Sequence, residues 1–265
     1  MSLIDTFSLH GRDILITGAT GYLGKAMSRV LAEAGARILV NSRSHEACQQ
    51  LVSELTEAGY LADSAAFDLN DHSATAKFFK IRNEKPIHCV INNAYSGGAG
   101  TIETSGCDDY RKSYEMSVVA AHNIFRLALP ALRKAVRDTG DASVINVSSM
   151  YASVSPDLGA YDHAEVANPP FYGAAKAALL QWTRYAACEF GKENIRVNAV
   201  SPGPFPSTAV QKSSPAFVNR LAAKVPMGRI GQSHEIGGVI LMLASPASTF
   251  INGANIPVDG GWTSW

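Results

Sequence analysis

The chain has 265 residues, 46% hydrophobic and 17% charged, enough apolar material to bury the core of one large α/β domain. Lys+Arg and Asp+Glu balance at 23 each, so no basic stripe points to nucleic acid and no acidic tail to a solvating segment. No apolar run approaches the ~18 residues of a membrane span, and residues 1–10 lack an apolar signal region. The four cysteines (Cys48, Cys89, Cys107, Cys188) are scattered without a CxxC spacing. Together these features predict a cytoplasmic protein with reduced thiols and neither a membrane nor a nucleic-acid partner.

Strand-like and helix-like segments alternate along the sequence. Residues 13–17 are a short apolar run that enters a Gly-rich turn. Residues 22–34 have helical periodicity and stop at Gly35. A second strand is expected over 37–40, a second helix over 44–58 closed by Gly59, a third strand over 61–67 and a third helix over 71–84. A fourth strand covers 88–91. A long helix covers 108–137, with Pro130 kinking it or marking its last turns. A fifth strand covers 143–147, a helix 171–190, a sixth strand 195–200 and a seventh 251–258. Strands that are apolar throughout belong to a parallel sheet covered on both faces. The pattern therefore predicts a doubly wound α/β fold, a seven-stranded parallel sheet with helices on both sides, in one domain spanning 1–265. Two stretches break the rhythm, 151–170 and the Pro- and Ser-rich 202–226. Both follow strand ends, where ligands bind in such sheets.

Thr17-Gly18-Ala19-Thr20-Gly21-Tyr22-Leu23-Gly24 joins the first strand to the first helix. Its glycines permit a tight turn, and the helix start offers unpaired N–H groups to a pyrophosphate. The second strand ends at Val40-Asn41-Ser42-Arg43 without the acidic residue that would bind ribose hydroxyls, and Arg43 can pair with a 2′-phosphate. NADP(H) is therefore expected over NAD(H). Further along, Tyr172 and Lys176 stand at i and i+4 on one helix face. A phenol titrates near ~10, and an adjacent ammonium favours the phenolate. A hydroxyl from Ser149 can then hold a substrate oxygen while Tyr172 moves its proton.

In this order, the Gly loop at 17–24, Asp68-Leu69, Asn92-Asn93-Ala94, Ser148-Ser149, Tyr172xxxLys176, Pro202-Gly203 and the tail Val258-Asp259-Gly260-Gly261 resemble the short-chain dehydrogenase/reductase family, in its compact single-domain branch. The resemblance covers the whole chain and implies an oxidoreductase interconverting a carbonyl and a secondary alcohol. It implies that Tyr172 is the general acid/base, that Lys176 binds the nicotinamide ribose and lowers the Tyr172 pKa, and that Ser149 binds the substrate oxygen. Gly18, Thr20, Tyr22 and Leu23 would lie on the phosphates, Arg43, Asp68 and Leu69 on the adenosine end, and Asn92 with Ala94 on its ribose. Pro202, Gly203 and Phe205 would flank the nicotinamide, with Ser207 or Thr208 on its carboxamide. For Asp68 a helix N-cap role, and for Asn93 a turn-stabilising role, stand beside ligand contact. A homo-oligomer, tetramer or dimer, is implied through the long helix and the Tyr-bearing helix, with Trp262 and Trp265 as tail contacts between subunits.

The sequence departs from the family pattern at four places. Tyr22 replaces a Gly, leaving a Gly18-x-x-Gly21-x-x-Gly24 spacing. Tyr95 replaces the Gly of Asn-Asn-Ala-Gly, beside either substrate or cofactor. Ser117 stands where an Asn usually holds a water for a proton relay to the Lys. The stretch between Ser149 and Tyr172 is long and carries Asp157, Tyr161, Asp162, His163, Glu165 and Asn168. Its polarity suits a sugar, a sugar acid or another hydroxylated substrate, or else a solvated or subunit-contacting excursion. Asp162-His163 is too sparse for a metal site. Ser117 keeps open a non-catalytic NADP(H)-binding regulatory protein, and the Gly spacing a sugar-nucleotide epimerase or dehydratase.

Overall fold

The computed structural model describes residues 2–82 and 85–265. A short helix α1 (Leu3–Phe7) precedes β1 (Asp13–Ile16), α2 (Tyr22–Glu33), β2 (Arg37–Val40), α3 (His45–Glu57), β3 (Leu61–Ser64), α4 (His72–Ile81) and β4 (Cys89–Asn92). Then come α5 (Cys107–Tyr114), a π-helical turn (Glu115–Val119), α6 (Ala120–Thr139), β5 (Ala142–Val147), α7 (Pro170–Phe190) and β6 (Ile195–Pro202). Helices α8 (Thr208–Ser213), α9 (Pro215–Lys224) and α10 (Gly237–Ala244) lead to β7 (Asn255–Val258).

The seven strands form one parallel sheet in the order β3-β2-β1-β4-β5-β6-β7. Alternate residues of each central strand feed opposite layers, which is why these strands read as unbroken apolar runs. Ile14, Ile16, Ile38, Val40 and Ile91 pack with α2, α3 and α10 through Met27, Leu31, Leu51, Leu55, Ile240 and Leu243. Leu15, Leu39, Val90, Val144 and Val197 pack the other way, against Phe79, Ile124, Phe125 and Leu132 of α4 and α6. The strand order reverses between β1 and β4. The loops after those two strands, 17–21 and 93–106, therefore open a crevice at the carboxyl edge of the sheet.

The differences from expectation have local causes. β3 pairs only to Ser64, because the buried Asn41 amide donates to the Ala65 and Phe67 carbonyls at 2.7 and 3.2 Å and takes them off the ladder. β7 starts at Asn255, after a turn in which Gly253 has φ of 77° and Asn252 bonds to the Val197 N–H and the Ala187 carbonyl. The third helix starts where expected, with the Asp71 carboxylate capping the Ala74 N–H, and ends at Ile81. Its expected last residues, Asn83 and Glu84, lie outside the described residues.

The long helix runs past Pro130 to a left-handed cap at Gly140. Its irregularity lies upstream, in the π turn around Ser117. Within 202–226, read as irregular, two helices form. Ser207 accepts from Val210 N–H as the α8 cap, and Pro215 opens α9. Helix α10, an apolar octapeptide, has no periodic face by which its sequence would show a helix. Trp262 is buried against Met150, Leu221, Val225 and Ile230 of its own chain, whereas Trp265 is exposed.

Candidate active site

The phosphate loop is built by close backbone approach. Gly18 has φ of 62°, and a Cβ there would stand 2.9 Å from the Ala94 Cα; a Cβ on Gly24 would overlap the Gly18 carbonyl oxygen. Gly21 heads α2 without a side-chain cap, so the first N–H groups of the helix face the crevice free for an anion. Asn93 fixes the loop from β4: its amide donates to the carbonyls of Thr17 and Gly18 at 3.0 and 3.1 Å, and its N–H donates to Thr17 Oγ1. The turn-stabilising reading of Asn93 is the one the structure shows.

These groups line a cavity of about 410 Å³. The cavity takes Gly18, Thr20, Tyr22, Leu23, Arg43, Asp68, Leu69 and Ala94 from the expected set, and adds Phe67, Ser96 and Met116. Nothing in the sequence marked Phe67 or Met116, the first just past a strand end and the second inside the π turn. Asp68 is not a helix cap; its carboxylate accepts from Asn70 N–H in a local turn. Tyr22 reaches across to α8, where Gln211 Nε2 lies 3.4 Å from its hydroxyl. Asn41, Ser42 and Arg43 all sit on the cavity wall, Asn41 buried with its amide bonded to the Ala65 and Phe67 carbonyls and Arg43 exposed.

Besides Tyr172 and Lys176, five expected cofactor residues lie outside this cavity. Asn92 is buried and donates to Asn146 Oδ1 at 2.8 Å, and Asn146 donates onward to Thr183. Pro202 ends β6, and Gly203 N–H bonds to the Val258 carbonyl. Phe205 lines a separate cavity with Val225, Met227 and Gly260. Ser207 is occupied as the α8 cap.

The catalytic group gathers at the end of β5. The Ser148 hydroxyl donates to the Lys176 carbonyl at 3.1 Å, pinning α7 to the strand end. The Ser149 Oγ accepts the Tyr151 N–H at 3.1 Å, which leaves its own proton free to donate. Lys176, buried, donates from Nζ to the Val147 carbonyl at 2.7 Å. Burial brings the Lys176 pKa down to about 8. Burial also pushes the Tyr172 phenol up from its ordinary range; Ser149 opposes this and Tyr95 adds to it. Burial is the larger influence on Tyr172. The lysine donates one N–H to a backbone carbonyl, and its Nζ lies 5.7 Å from the Tyr172 ring centre.

Ser117, in the π turn, is buried with its hydroxyl unpartnered among the described residues. It lines a cavity of about 10 Å³ together with Asn92, Thr17 and Lys176, room for about one water. π turns recur at functional sites.

The long stretch between Ser149 and Tyr172 is largely exposed yet tied to the body of the fold. Asp157 pairs with Lys224 and Asp162 with Arg220, whose Nε also donates to the Ala160 carbonyl, so the stretch is fastened to α9. Tyr151 and Tyr161 join hydroxyls at 3.2 Å, and the Tyr161 ring lies 5.2 Å from Phe217 of α9. These aspartates are turned to α9, and so they carry no argument for a sugar.

A dinucleotide-shaped crevice at the switch point of a parallel sheet, with Ser149, Tyr172 and Lys176 beside it, defines the class as an NAD(P)-dependent oxidoreductase. The residues present fit that cofactor: a glycine cradle that a Cβ would fill, and an uncapped helix start. Over residues 18–263 the chain matches the family model described as enoyl-(acyl carrier protein) reductase. It is 31% identical over 260 residues to the rhamnolipids biosynthesis 3-oxoacyl-[acyl-carrier-protein] reductase of Pseudomonas aeruginosa, covering 97% of this chain and 98% of that protein. It is 27% identical to the 7alpha-hydroxysteroid dehydrogenase of Escherichia coli, covering 97% and 96%. Among solved structures, a gluconate 5-dehydrogenase from Burkholderia cenocepacia, in complex with NADP and tartrate, superposes with a TM-score of 0.88 at 28% identity over the whole of both chains. The chain belongs to the short-chain dehydrogenase/reductase family, and it is an oxidoreductase acting between carbonyl and CH–OH groups of small molecules.

Proposed function

We propose that this enzyme prefers NADP(H), with Ser149 and Tyr172 acting directly on the substrate oxygen and Lys176 and Ser117 maintaining the proton supply. The observation that carries this reading is the convergence of Ser149, Tyr172 and Lys176 at the end of β5. A nicotinamide bound beside these residues would supply or accept the hydride at the substrate carbon. In reduction, Ser149 Oγ and the Tyr172 hydroxyl both donate to the substrate oxygen as negative charge develops on it. Tyr172 then gives up its proton as general acid, and in oxidation it takes one. Lys176, with a pKa of about 8, is mostly charged at neutral pH and stabilises the phenolate left behind. Lys176 Nζ then gives a proton to that phenolate, and the unpartnered Ser117 hydroxyl, in a cavity that Lys176 also lines, supports a water there that restores the proton Nζ has lost.

The preference for NADP(H) rests on Arg43 at the cavity wall, where the residues that follow β2, Asn41 and Ser42, bring no carboxylate. The substrate is a small ketone or secondary alcohol. We also propose a cytoplasmic homo-oligomer. No helix among the described residues is long and apolar enough to cross a membrane. Tyr110 and Tyr114 of α5 and Tyr185 of α7 are exposed, on the helices expected to meet a second copy. A panel of carbonyls and alcohols, each with NADPH/NADP+ and NADH/NAD+ and followed by nicotinamide absorbance, tests the chemistry and the preference together. Turnover with the phosphorylated cofactor is expected. Equal or better turnover with NADH overturns the preference, and bound cofactor with no net consumption points to an epimerase. Light scattering tests the assembly, for which a monomer would be the contrary result.

A further inference from the structure

Tyr95 makes two contacts with the catalytic helix and a third with Ser113 of α5. Its ring lies 4.7 Å from that of Tyr172, centre to centre, at 62°. Lys176 Nζ lies 5.3 Å from the Tyr95 ring centre and 5.7 Å from that of Tyr172, so the ammonium sits against two π faces. The Tyr95 hydroxyl meets Ser113 Oγ at 3.0 Å, and the buried Ser113 Oγ donates to the Phe171 carbonyl at 3.1 Å. Because Ser113 spends its proton on Phe171, Tyr95 is the donor in the first bond. Tyr95 is thus tied to the residue that precedes Tyr172. Gly97 makes room for this placement, since a Cβ there would overlap the Tyr95 phenol.

We infer that Tyr95 is a positioning residue: it clamps Tyr172 and Lys176 in a dry, preset contact and ties that contact through Ser113 to the first turn of α7. The groups facing Tyr172 are Lys176 on its own helix, Tyr95 after β4, and Ser149 and Tyr151 after β5. Lys176 and Ser149 favour the phenolate. Exclusion of water favours the phenol, and the Tyr95 ring supplies part of that exclusion. Opening the contact admits water, which solvates the phenolate and the ammonium alike. Both effects move ionisation of Tyr172 to lower pH. The clamp therefore keeps Tyr172 in its proton-donating form until a substrate oxygen and the charge developing on it are present.

The test uses the full chain with Tyr95→Phe, Tyr95→Gly and Gly97→Ala. In each background the tyrosinate absorbance titration is recorded as a difference against the same protein carrying Tyr172→Phe, with no substrate. The rise of oxidation rate with pH is measured in parallel. Tyr95→Phe keeps the ring and is expected to leave the Tyr172 step in place. Tyr95→Gly is expected to move the step down by about one pH unit. Gly97→Ala, which pushes the ring aside without deleting it, is expected to move it the same way, and it serves alone if Tyr95→Gly does not fold. A step unmoved by the loss or displacement of the ring overturns the inference, as does Tyr95→Phe moving it as far as Tyr95→Gly. The inference rests on Tyr172 being the acid/base of the proposed mechanism, but the titration needs no turnover. A shift without activity on any carbonyl would sink the mechanism and spare the clamp, and activity without a shift would do the reverse.

Discussion

The Lys176 ammonium donates to the Val147 carbonyl at 2.7 Å, so the one buried cation beside Tyr172 is anchored to the last residue of β5. This bond joins strand, helix and chemistry. It keeps the lysine extended beneath the phenol and satisfies one of its three donors without supplying an acid to neutralise it.

That environment makes stability depend on pH through Lys176. Its folded pKa, about 8, lies below the unfolded value near ~10.4. Between these values the unfolded chain binds more protons, so wild-type stability rises with pH across this window. The penalty is fully present below about 8 and is relieved by about 10.5, on the order of 3 kcal/mol in all. Urea unfolding of wild type and Lys176→Met at pH 7.5 and 9.5 is expected to show wild type gaining on the variant at the higher pH. A constant difference would contradict the assignment.

A second buried charge cluster lies at the opposite edge of the sheet. Asp141 takes Arg12 Nη2 at 2.9 Å on one oxygen and Arg196 Nη2 at 3.1 Å on the other, with all three residues buried. Asp141→Asn leaves two guanidinium groups facing a neutral amide. A loss of about 3–5 kcal/mol is expected from denaturant unfolding, with turnover per folded molecule unchanged because the cluster is remote from Tyr172.

Arg43 is expected to set cofactor choice. A charge-assisted bond to a 2′-phosphate is worth about 1.5–3 kcal/mol, so Arg43→Ala should weaken NADPH binding by roughly 10–100-fold. NADH binding should change by less than about 3-fold, within the scatter of a lost surface charge. Isothermal titration with both cofactors measures the two changes, and parallel losses would show that Arg43 does not read the phosphate.

The parts of this molecule legible in the sequence are those where chemistry demands a residue type at a fixed spacing. Gly18 and Gly24 are required by backbone approach, and Tyr172 and Lys176 by the helical repeat. The sheet was legible because each central strand is apolar on both faces. What escaped depends on side-chain direction across long sequence separations. The Asn92 amide belongs to the Asn146–Thr183 bonds. Trp262 packs under Met150 inside its own subunit. Asp157 and Asp162 turn to Lys224 and Arg220. In each case the partner lies tens of residues away, and no local pattern names it.

The central claim is that Tyr172 moves the proton. Its most direct measurement is the turnover number of Tyr172→Phe beside NADPH affinity, on whichever carbonyl the wild type reduces. Removing the phenolic hydroxyl deletes general-acid catalysis, worth about 10²–10⁴-fold, and leaves the phosphate cradle of Gly18 and Gly21 untouched. The expected result is unchanged NADPH binding with turnover down by that factor; a variant that binds NADPH and turns over at a near wild-type rate would contradict the mechanism.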